Sequence, residues 1–141
     1  MIRKANSSDI PILTDLALKL WTDHDRDDLA VELGEILKNE DAAFFLAEDP
    51  KGFAQCQLRR DYVEGTESSP VGYLEGIYVE ETGRRRGLAR ELLSACESWA
   101  RDRGCKEFAS DCELTNTQSL QFHLALGFEE ANRIICFTKK L

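Results

Sequence analysis

Apolar residues in the first third of the chain predict two helices after a short strand. The strand is MIRKA at the amino terminus. The first helix carries apolar residues three or four positions apart, namely Ile12, Leu13, Leu16 and Leu20. That spacing is typical of a helix that buries one face, and Ser8 or Asp9 could cap its start. Similar spacing predicts a second helix over residues 27–37.

Three apolar segments bounded by turn residues predict an antiparallel meander in the middle of the chain. They are AAFFLAED, FAQCQLRRDY and VGYLEGIYVEE. Pro50 and Gly52 mark the turn between the first two segments, and the polar stretch EGTESSP precedes the third.

Helical and strand patterns alternate again toward the carboxyl terminus. Residues 87–103 show one apolar stripe and predict a helix that ends at Gly104. The strand CKEFASDC follows, parallel to the preceding strand if the connection is the usual right-handed crossover. Residues 116–126 predict a further helix, and FEEANRIICFTKKL predicts a final pair of strands. This order of elements predicts an α/β (α+β) fold.

Length and composition are those of one globular domain over residues 1–141, with 43% hydrophobic and 31% charged residues. No apolar stretch approaches the ~20 residues that cross a bilayer, and the amino terminus lacks the apolar core of a signal peptide. We therefore expect a cytoplasmic protein without membrane contact. The five cysteines form no CxxC pair, which gives no support for a disulfide framework or a metal site.

The formal net charge is −8, and the acidic excess lies within the first 83 residues. Such a field argues against nucleic acid as a partner, because binding to phosphates requires a basic face. It would attract a cationic small molecule or a basic peptide. The alternative is that the acidity only keeps the protein soluble.

The stretch EETGRRRGLARELL concentrates positive charge where the 87–103 helix begins. Unpaired backbone N–H groups and the helix dipole favour an anion at such a place. Gly87 would let a phosphate approach the main chain, and Arg84, Arg85 and Arg86 would supply cations. The alternative is a solvated basic turn. Neither a Walker loop nor a GxGxxG pattern is present.

Two motifs together give this stretch a family resemblance. Arg84-x-x-Gly87-x-Ala89 resembles the acetyl-coenzyme A pyrophosphate motif of the GNAT superfamily of N-acetyltransferases, and NTQSLQFHLALGF resembles the second block of that superfamily. The resemblance implies a mixed, mostly antiparallel sheet with a splayed parallel strand pair at the cofactor site and about four flanking helices. Segments between Arg59 and Glu130 are similar to the aminoglycoside 6′-N-acetyltransferases, whose members are small cytoplasmic dimers.

The resemblance implies a set of residues that bind acetyl-coenzyme A (acetyl-CoA): Ile77, Tyr78, Val79, Arg84, Arg85, Arg86, Gly87, Leu88, Ala89 and Asn116. Backbone groups of residues 77–79 would pair with the pantetheine arm, and one N–H would stabilise the oxyanion that forms on attack. Asn116 would add a side-chain hydrogen bond. Its other possible role is a helix N-cap, which is compatible with the first.

The resemblance also implies residues for the acceptor amine, with Glu75, Asp111 and His123 as the catalytic set. Glu75, placed on the same strand face as Ile77, would bind the amine and accept its proton, and Asp111 would bind an ammonium group. The remaining substrate-binding residues would be Trp21, His24, Tyr62, Glu67 and Asn132. Plain core packing is the alternative for Trp21, and an exposed strand residue is the alternative for Glu75.

Two positions depart from the patterns of these families. His123 stands where many GNAT enzymes carry a tyrosine that protonates the departing thiolate, and an imidazole can donate a proton near neutral pH. A purely structural role is equally open. Asn132 stands where related 6′-acetyltransferases can carry a substrate-binding glutamate, which puts the range of drugs in doubt. Cys112 beside Asp111 is not needed as a nucleophile, because direct attack requires no covalent enzyme intermediate.

We therefore expect an acetyl-CoA-dependent N-acetyltransferase that needs no metal and confers resistance by acetylating the 6′-amine of aminoglycosides, and we expect a homodimer. Two alternatives stay open. In the first, the acceptor is a polyamine, an amino-sugar metabolite or a peptide amine. In the second, the fold serves as an acyl-CoA sensor without catalysis.

Overall fold

Five strands and four helices are present in the computed structural model, which describes residues 1–141. In chain order they are β1 (Ile2–Lys4), α1 (Ile10–Leu20), α2 (Arg26–Leu37), β2 (Ala42–Ala47), β3 (Gly52–Arg59), β4 (Val71–Val79), α3 (Leu88–Asp102), β5 (Phe108–Ala109) and α4 (Thr117–Ala125). Single 3₁₀ turns precede α1 and α3. None of the helices has the length and apolar character that crossing a bilayer requires.

The strands form one sheet in the order β1-β2-β3-β4-β5. Strands β1 to β4 pair antiparallel, and β4 pairs with β5 in parallel through only two residue pairs, Gly72 with Phe108 and Tyr73 with Ala109. Beyond Tyr73 the two strands separate, so the rest of β4 has no strand partner on that side. The predicted α/β fold with a splayed parallel pair is confirmed.

Helices cover both faces of the sheet. Helix α3 lies on one face, where Leu92 and Cys96 have no exposed surface. Helices α1 and α2 lie on the other, where Leu13 and Leu33 pack against Phe44 of β2. Burying side chains of this size stabilises the fold by about 1.5–3 kcal/mol each. The two cores hold β4 between them and fix the direction of its side chains.

The start of α1 differs from the sequence prediction in one detail. Asp9 occupies the cap position of α1 but makes no cap hydrogen bond, whereas Asn6 caps the preceding 3₁₀ turn by accepting from the Ser8 amide at 2.9 Å. The Asp9 carboxylate instead accepts from the Asn6 amide and from both terminal nitrogens of Arg3, at 2.7–2.9 Å. These bonds lower the pKa of Asp9 to about 2.

The predicted final pair of strands is wrong for the isolated chain. Residues 129–141, which we call the C-terminal arm, contain no strand, and the predicted strand CKEFASDC is reduced to the two residues of β5. No residue after Cys105 is fully buried. Strand β5 is only two residues long, so its outer edge offers the arm few backbone groups with which to form a strand pair within one chain.

Candidate active site

The turn before α3 presents unpaired backbone donors to open space. Gly87 is the cap residue of α3, with φ of +77°, and no side chain caps the first turn. A Cβ atom at this position would have nothing within 4 Å, so the space in front of the amides is free. Arg85 also has a positive φ, of +65°. The residues present therefore fit a phosphate group held by main-chain N–H groups.

The three arginines of this turn remain available to an anion. Arg84 donates from Nε to the carbonyl oxygen of Val79 at 3.1 Å, which ties the turn to the end of β4. All three side chains are exposed, and no ion pair within the protein includes them. Their charge is therefore not neutralised by the acidic surface elsewhere in the chain.

The predicted pantetheine strand is the open part of β4. Ile77 and Val79 pack toward α3, and Tyr78 packs toward α1. Because the side chains are engaged on the two faces, the main chain is the part of this segment that lies at the open edge. The geometry fits pairing with an extended ligand, and the assignment of residues 77–79 to the cofactor stays a prediction.

Glu75 lies at an irregularity in β4. Opposite this point Gln55 pairs with Gly76 and Cys56 pairs with Leu74, which leaves Glu75 as an extra residue in a bulge. Its side chain is only 16% exposed and pairs with Arg59 of β3, whose Nη2 lies 3.1 Å from Oε2 and closer to Oε1. We expected Glu75 to lie on the same strand face as Ile77, and this expectation is wrong. The bulge reverses the alternation, so that Glu75 pairs with Arg59 on one face while Ile77 packs toward α3 on the other.

Arg59 and Tyr73 connect Glu75 to Asp111. The Arg59 guanidinium lies 3.4 Å from the centre of the Tyr73 ring, and the Tyr73 hydroxyl donates a hydrogen bond to Asp111. Burial, reinforced by Asp111, raises the pKa of Tyr73 well above its usual range, so the hydroxyl keeps its proton and remains a donor. The two carboxylates predicted to bind the acceptor thus belong to one connected group of side chains.

Trp21 takes the core position that was one of its two interpretations, and its contact with the drug stays a prediction. It packs edge-on against Phe53 in the core, with ring centres 6.0 Å apart, and its indole lies over Gly76 beside Glu75. A Cβ on Gly76 would stand 2.6 Å from the indole ring, so only glycine permits this contact. His24 follows three residues later and is exposed.

The other predicted drug-binding residues lie on exposed segments. Tyr62 is 76% exposed, and its hydroxyl accepts from the Gly65 amide at 3.4 Å. The Glu67 side chain is exposed, and no hydrogen bond joins Tyr62 or Glu67 to Glu75 or Asp111. Asn132 donates from Nδ2 to Glu64 at 2.7 Å. Glu64, which we had not predicted, thus places a carboxylate beside the position where related 6′-acetyltransferases can carry a glutamate.

His123 is held at both ring nitrogens. Nδ1 lies 2.7 Å from the carbonyl oxygen of Ser119, which can only accept, so Nδ1 carries the hydrogen. Nε2 lies 2.8 Å from the Ser110 hydroxyl, which in turn lies 3.4 Å from the carbonyl oxygen of Leu74 in β4. In the neutral ring Nε2 therefore accepts the Ser110 hydrogen, and only the imidazolium form could pass a proton from Nε2 to Ser110.

Asn116 takes the cap position that was one of its two predicted roles. Its Oδ1 accepts from the Ser119 amide at 3.0 Å at the start of α4. Its side-chain amide nitrogen makes no hydrogen bond within the protein, so contact with the pantetheine arm stays a prediction.

Arg59, Tyr73 and Ser110 belong to the connected side chains of the site but were not predicted from the sequence. A signal for the first existed, because Arg59 and Glu75 are opposite charges on neighbouring strands of a predicted hairpin. Tyr73 and Ser110 gave no signal, since their roles depend on which atoms the splayed strands bring together. A groove of about 1030 Å³ beside β5 is lined by Ser110, Asp111 and His123 together with α4 and the start of the C-terminal arm.

Comparison with known proteins places this site in a family. The profile described as Acetyltransferase (GNAT) family matches residues 10–128. Aminoglycoside N(6′)-acetyltransferase type 1 of Stenotrophomonas maltophilia is 44% identical over 144 residues, which cover 99% of this chain and 93% of that protein.

Solved structures agree with that match. The structure of AAC(6′)-Iy in complex with the bisubstrate analogue CoA-S-monomethyl-acetylneamine has a TM-score of 0.93 and 41% identity, and the match covers 100% of this chain and 98% of that one. The structure of AAC(6′)-Iy with CoA has a TM-score of 0.95 and 40% identity, covering 100% and 95%. This chain belongs to the acetyltransferase (GNAT) family.

Proposed function

We propose that this protein transfers the acetyl group of acetyl-CoA to the 6′-amine of aminoglycoside antibiotics and so confers resistance to them. The observation that carries the proposal is the position of two unlike groups around β4. At the end of β4, the first turn of α3 offers free backbone amides beside the exposed arginines of residues 84–86. Near the middle of β4, Glu75 is linked to Asp111 through the side chains of Arg59 and Tyr73. The relatives and structures named above are called aminoglycoside 6′-acetyltransferases, which supports the choice of acceptor.

Acetyl-CoA, when bound, supplies the acetyl group. The amides at Gly87 and the arginines of the same turn would hold its diphosphate, and the open edge of β4 would hold its extended arm. Direct attack by the acceptor amine in a ternary complex needs neither a covalent enzyme intermediate nor a metal.

The acceptor amine must lose a proton before it can attack. An alkylamine with a pKa near 9–10 is about 1% neutral or less at pH 7, which costs roughly 3 kcal/mol. Glu75 is the carboxylate nearest the open part of β4, and its low exposure excludes most of the competing water. We assign Glu75 the binding of this amine and the acceptance of its proton, with Asp111 binding a further ammonium group of the drug.

The thiolate that leaves must gain a proton. We assign the imidazolium form of His123 as its source: Nε2–H donates to the Ser110 hydroxyl while that hydroxyl gives its own hydrogen to the thiolate, which leaves neutral His123 with its hydrogen on Nδ1. Removing either member of such a relay would have the same effect on turnover.

The proposed active form is a homodimer in which the C-terminal arm of each copy pairs with β5 of the other. Ile134, Ile135 and Phe137 in the arm are 64%, 80% and 87% exposed, although the segment is apolar enough for a strand. The groove beside β5 offers the missing partner surface. Phe137→Glu should yield monomers by light scattering after gel filtration, whereas the matched change Val31→Glu on exposed α2 should leave a dimer. A Phe137→Glu protein that stays dimeric would contradict this arrangement.

The cytoplasm is the proposed location. All five cysteines are unpaired, and Cys112 and Cys136 are exposed, as suits a reducing compartment.

Release of CoA with kanamycin as acceptor tests the proposed function. We expect turnover with kanamycin, none with a variant of the drug that lacks the 6′-amine, and growth protection when sensitive bacteria express the gene. Faster turnover of a polyamine or peptide would instead assign a different acceptor. Saturable CoA binding without turnover of any amine would make the protein a sensor.

A further inference from the structure

The acidic acceptor site already contains a cation that belongs to the protein. The Arg59 guanidinium donates to both oxygens of Glu75, whose side chain is 16% exposed. Every ammonium group that is to bind Glu75 must therefore compete with Arg59.

Contacts with two neighbouring side chains, Glu75 and Tyr73, hold Arg59 in this position. Its guanidinium carbon Cζ lies over the Tyr73 ring, 3.4 Å from the ring centre, and the hydroxyl of that ring donates to Asp111. Stacking on an aromatic face and pairing with a carboxylate suit the planar, weakly hydrated guanidinium better than an ammonium ion. Arg59 thus stands between the two carboxylates that the acceptor is expected to use.

The neighbouring arginine shows what an ordinary surface pair looks like in the same strand region. Arg60 donates to both oxygens of Asp41 at 3.1 Å, with the two side chains 58% and 44% exposed. Pairs of this kind contribute little to binding or stability. Arg60 therefore provides a control with the same change of charge, one residue away.

We propose that Arg59 is a resident cation of the acceptor site and sets its specificity against amines that carry a single charge. An incoming ammonium group must displace the guanidinium from Glu75. An acceptor with several ammonium groups is held at Asp111 by one of them and can bind without displacing Arg59 completely, whereas a monoamine that is to react has Glu75 as its only carboxylate and bears the full competition. The proposal rests on the function proposed above.

The discriminating quantity is the ratio of two dissociation constants, for a monoamine and for kanamycin. Both are measured by calorimetry on protein saturated with CoA, so that no acetyl transfer occurs, with methyl 6-amino-6-deoxyglucoside as the monoamine. Because one charged hydrogen bond is at stake, Arg59→Gln should tighten monoamine binding by about tenfold or more and kanamycin binding by less, so that the ratio falls. Arg60→Gln should change neither constant by more than about twofold.

Arg59→Lys adds a second test that does not depend on removing the charge. It keeps the cation but loses the planar stack, so its affinity for the monoamine should lie between those of wild type and Arg59→Gln. Thermal unfolding and CoA binding check that each variant is folded. If Arg59→Gln does not fold, an Arg59→Lys protein that binds the monoamine no better than wild type overturns the proposal.

Two results with folded Arg59→Gln overturn the proposal. Weaker binding of both ligands would mean that Arg59 holds Glu75 in place for the acceptor, and an unchanged ratio would mean that it plays no part in selection. Failure of the proposed function is a separate result: wild-type protein that does not acetylate kanamycin refutes the acceptor assignment, while the monoamine measurement still decides the role of Arg59.

Discussion

The proposed active-site cleft lies between a cofactor side and an acceptor side, and different parts of the protein form the two sides. On the cofactor side the protein offers its main chain, at the start of α3 and along the open edge of β4. On the acceptor side it offers side chains, in the connected group of Glu75, Arg59, Tyr73 and Asp111. The difference suits the ligands, because every donor molecule carries the same diphosphate whereas acceptors differ in the number and spacing of their charges.

The two sides should therefore be sensitive to different kinds of substitution. A main-chain site depends on backbone conformation, so a change at its glycine should disturb it more than the loss of any one of its three arginines. A side-chain site depends on charge and hydrogen bonding, so an isosteric change of charge is enough to disable it. Substitutions on each side test this difference, and the first should reduce activity most while the last should change only stability.

Glu75→Gln should have the largest effect. The amide keeps the shape of the carboxylate but cannot take the proton of the amine, so kcat should fall by about 100-fold or more. The KM for acetyl-CoA should change little, because the cofactor side is untouched. Steady-state kinetics with kanamycin measure both constants. A loss that appears only in the KM for acetyl-CoA would place Glu75 on the wrong side of the cleft.

Gly87→Val should weaken the binding of acetyl-CoA by about tenfold or more, because a β-branched residue resists the left-handed conformation that the turn requires. Turnover at saturating cofactor should be largely kept. Gly104→Val is the matched control, since Gly104 has a φ of +86° just beyond the other end of α3 and also faces open space. Calorimetry should show similar losses of stability but a loss of cofactor affinity only for Gly87→Val.

His123→Gln and Ser110→Ala should each lower kcat by about tenfold if the two residues form one relay, at the lower end of the range for general acid catalysis or below it. The double variant should be no slower than either single one. Independent, multiplying losses would show that the hydrogen bond between His123 and Ser110 is not a path for the proton. Pre-steady-state release of CoA provides the measurement.

Asp9→Asn should have the smallest effect and touch neither side of the cleft. Folding lowers the pKa of Asp9 from 3.8 to about 2, so its stabilisation is present above pH 4 and is lost as the pH falls from 4 to 2. The variant should be less stable in urea by about 1 kcal/mol at pH 7, and its difference from wild type should vanish near pH 2. Equal differences at both pH values would contradict the assigned pKa.

Local patterns predicted the helices, the meander and the turn before α3, because those elements depend on periodicity and on residues close in sequence. The bulge at Glu75 was not predictable in this way, since one extra residue moves a side chain to the other face without changing the apolar pattern. Arg59 and Tyr73 lie in the regular part of the β3–β4 ladder, but the stacking of their side chains depends on rotamers that the sequence does not specify. The prediction for the C-terminal arm failed for another reason: its apolar strand pattern is present, but the sheet edge at β5 is only two residues long.

The close packing of Trp21 over Gly76 gives the protein an optical probe of its own. The chain has two tryptophans, and Trp99 is part of α3, where its side chain is buried and the Arg103 guanidinium lies 4.4 Å from its ring centre. The indole of Trp21 is half-buried next to Glu75, so a drug that enters the cleft changes the polarity around one emitter and leaves the other as an internal standard. Titrations can thus be followed by fluorescence without a label.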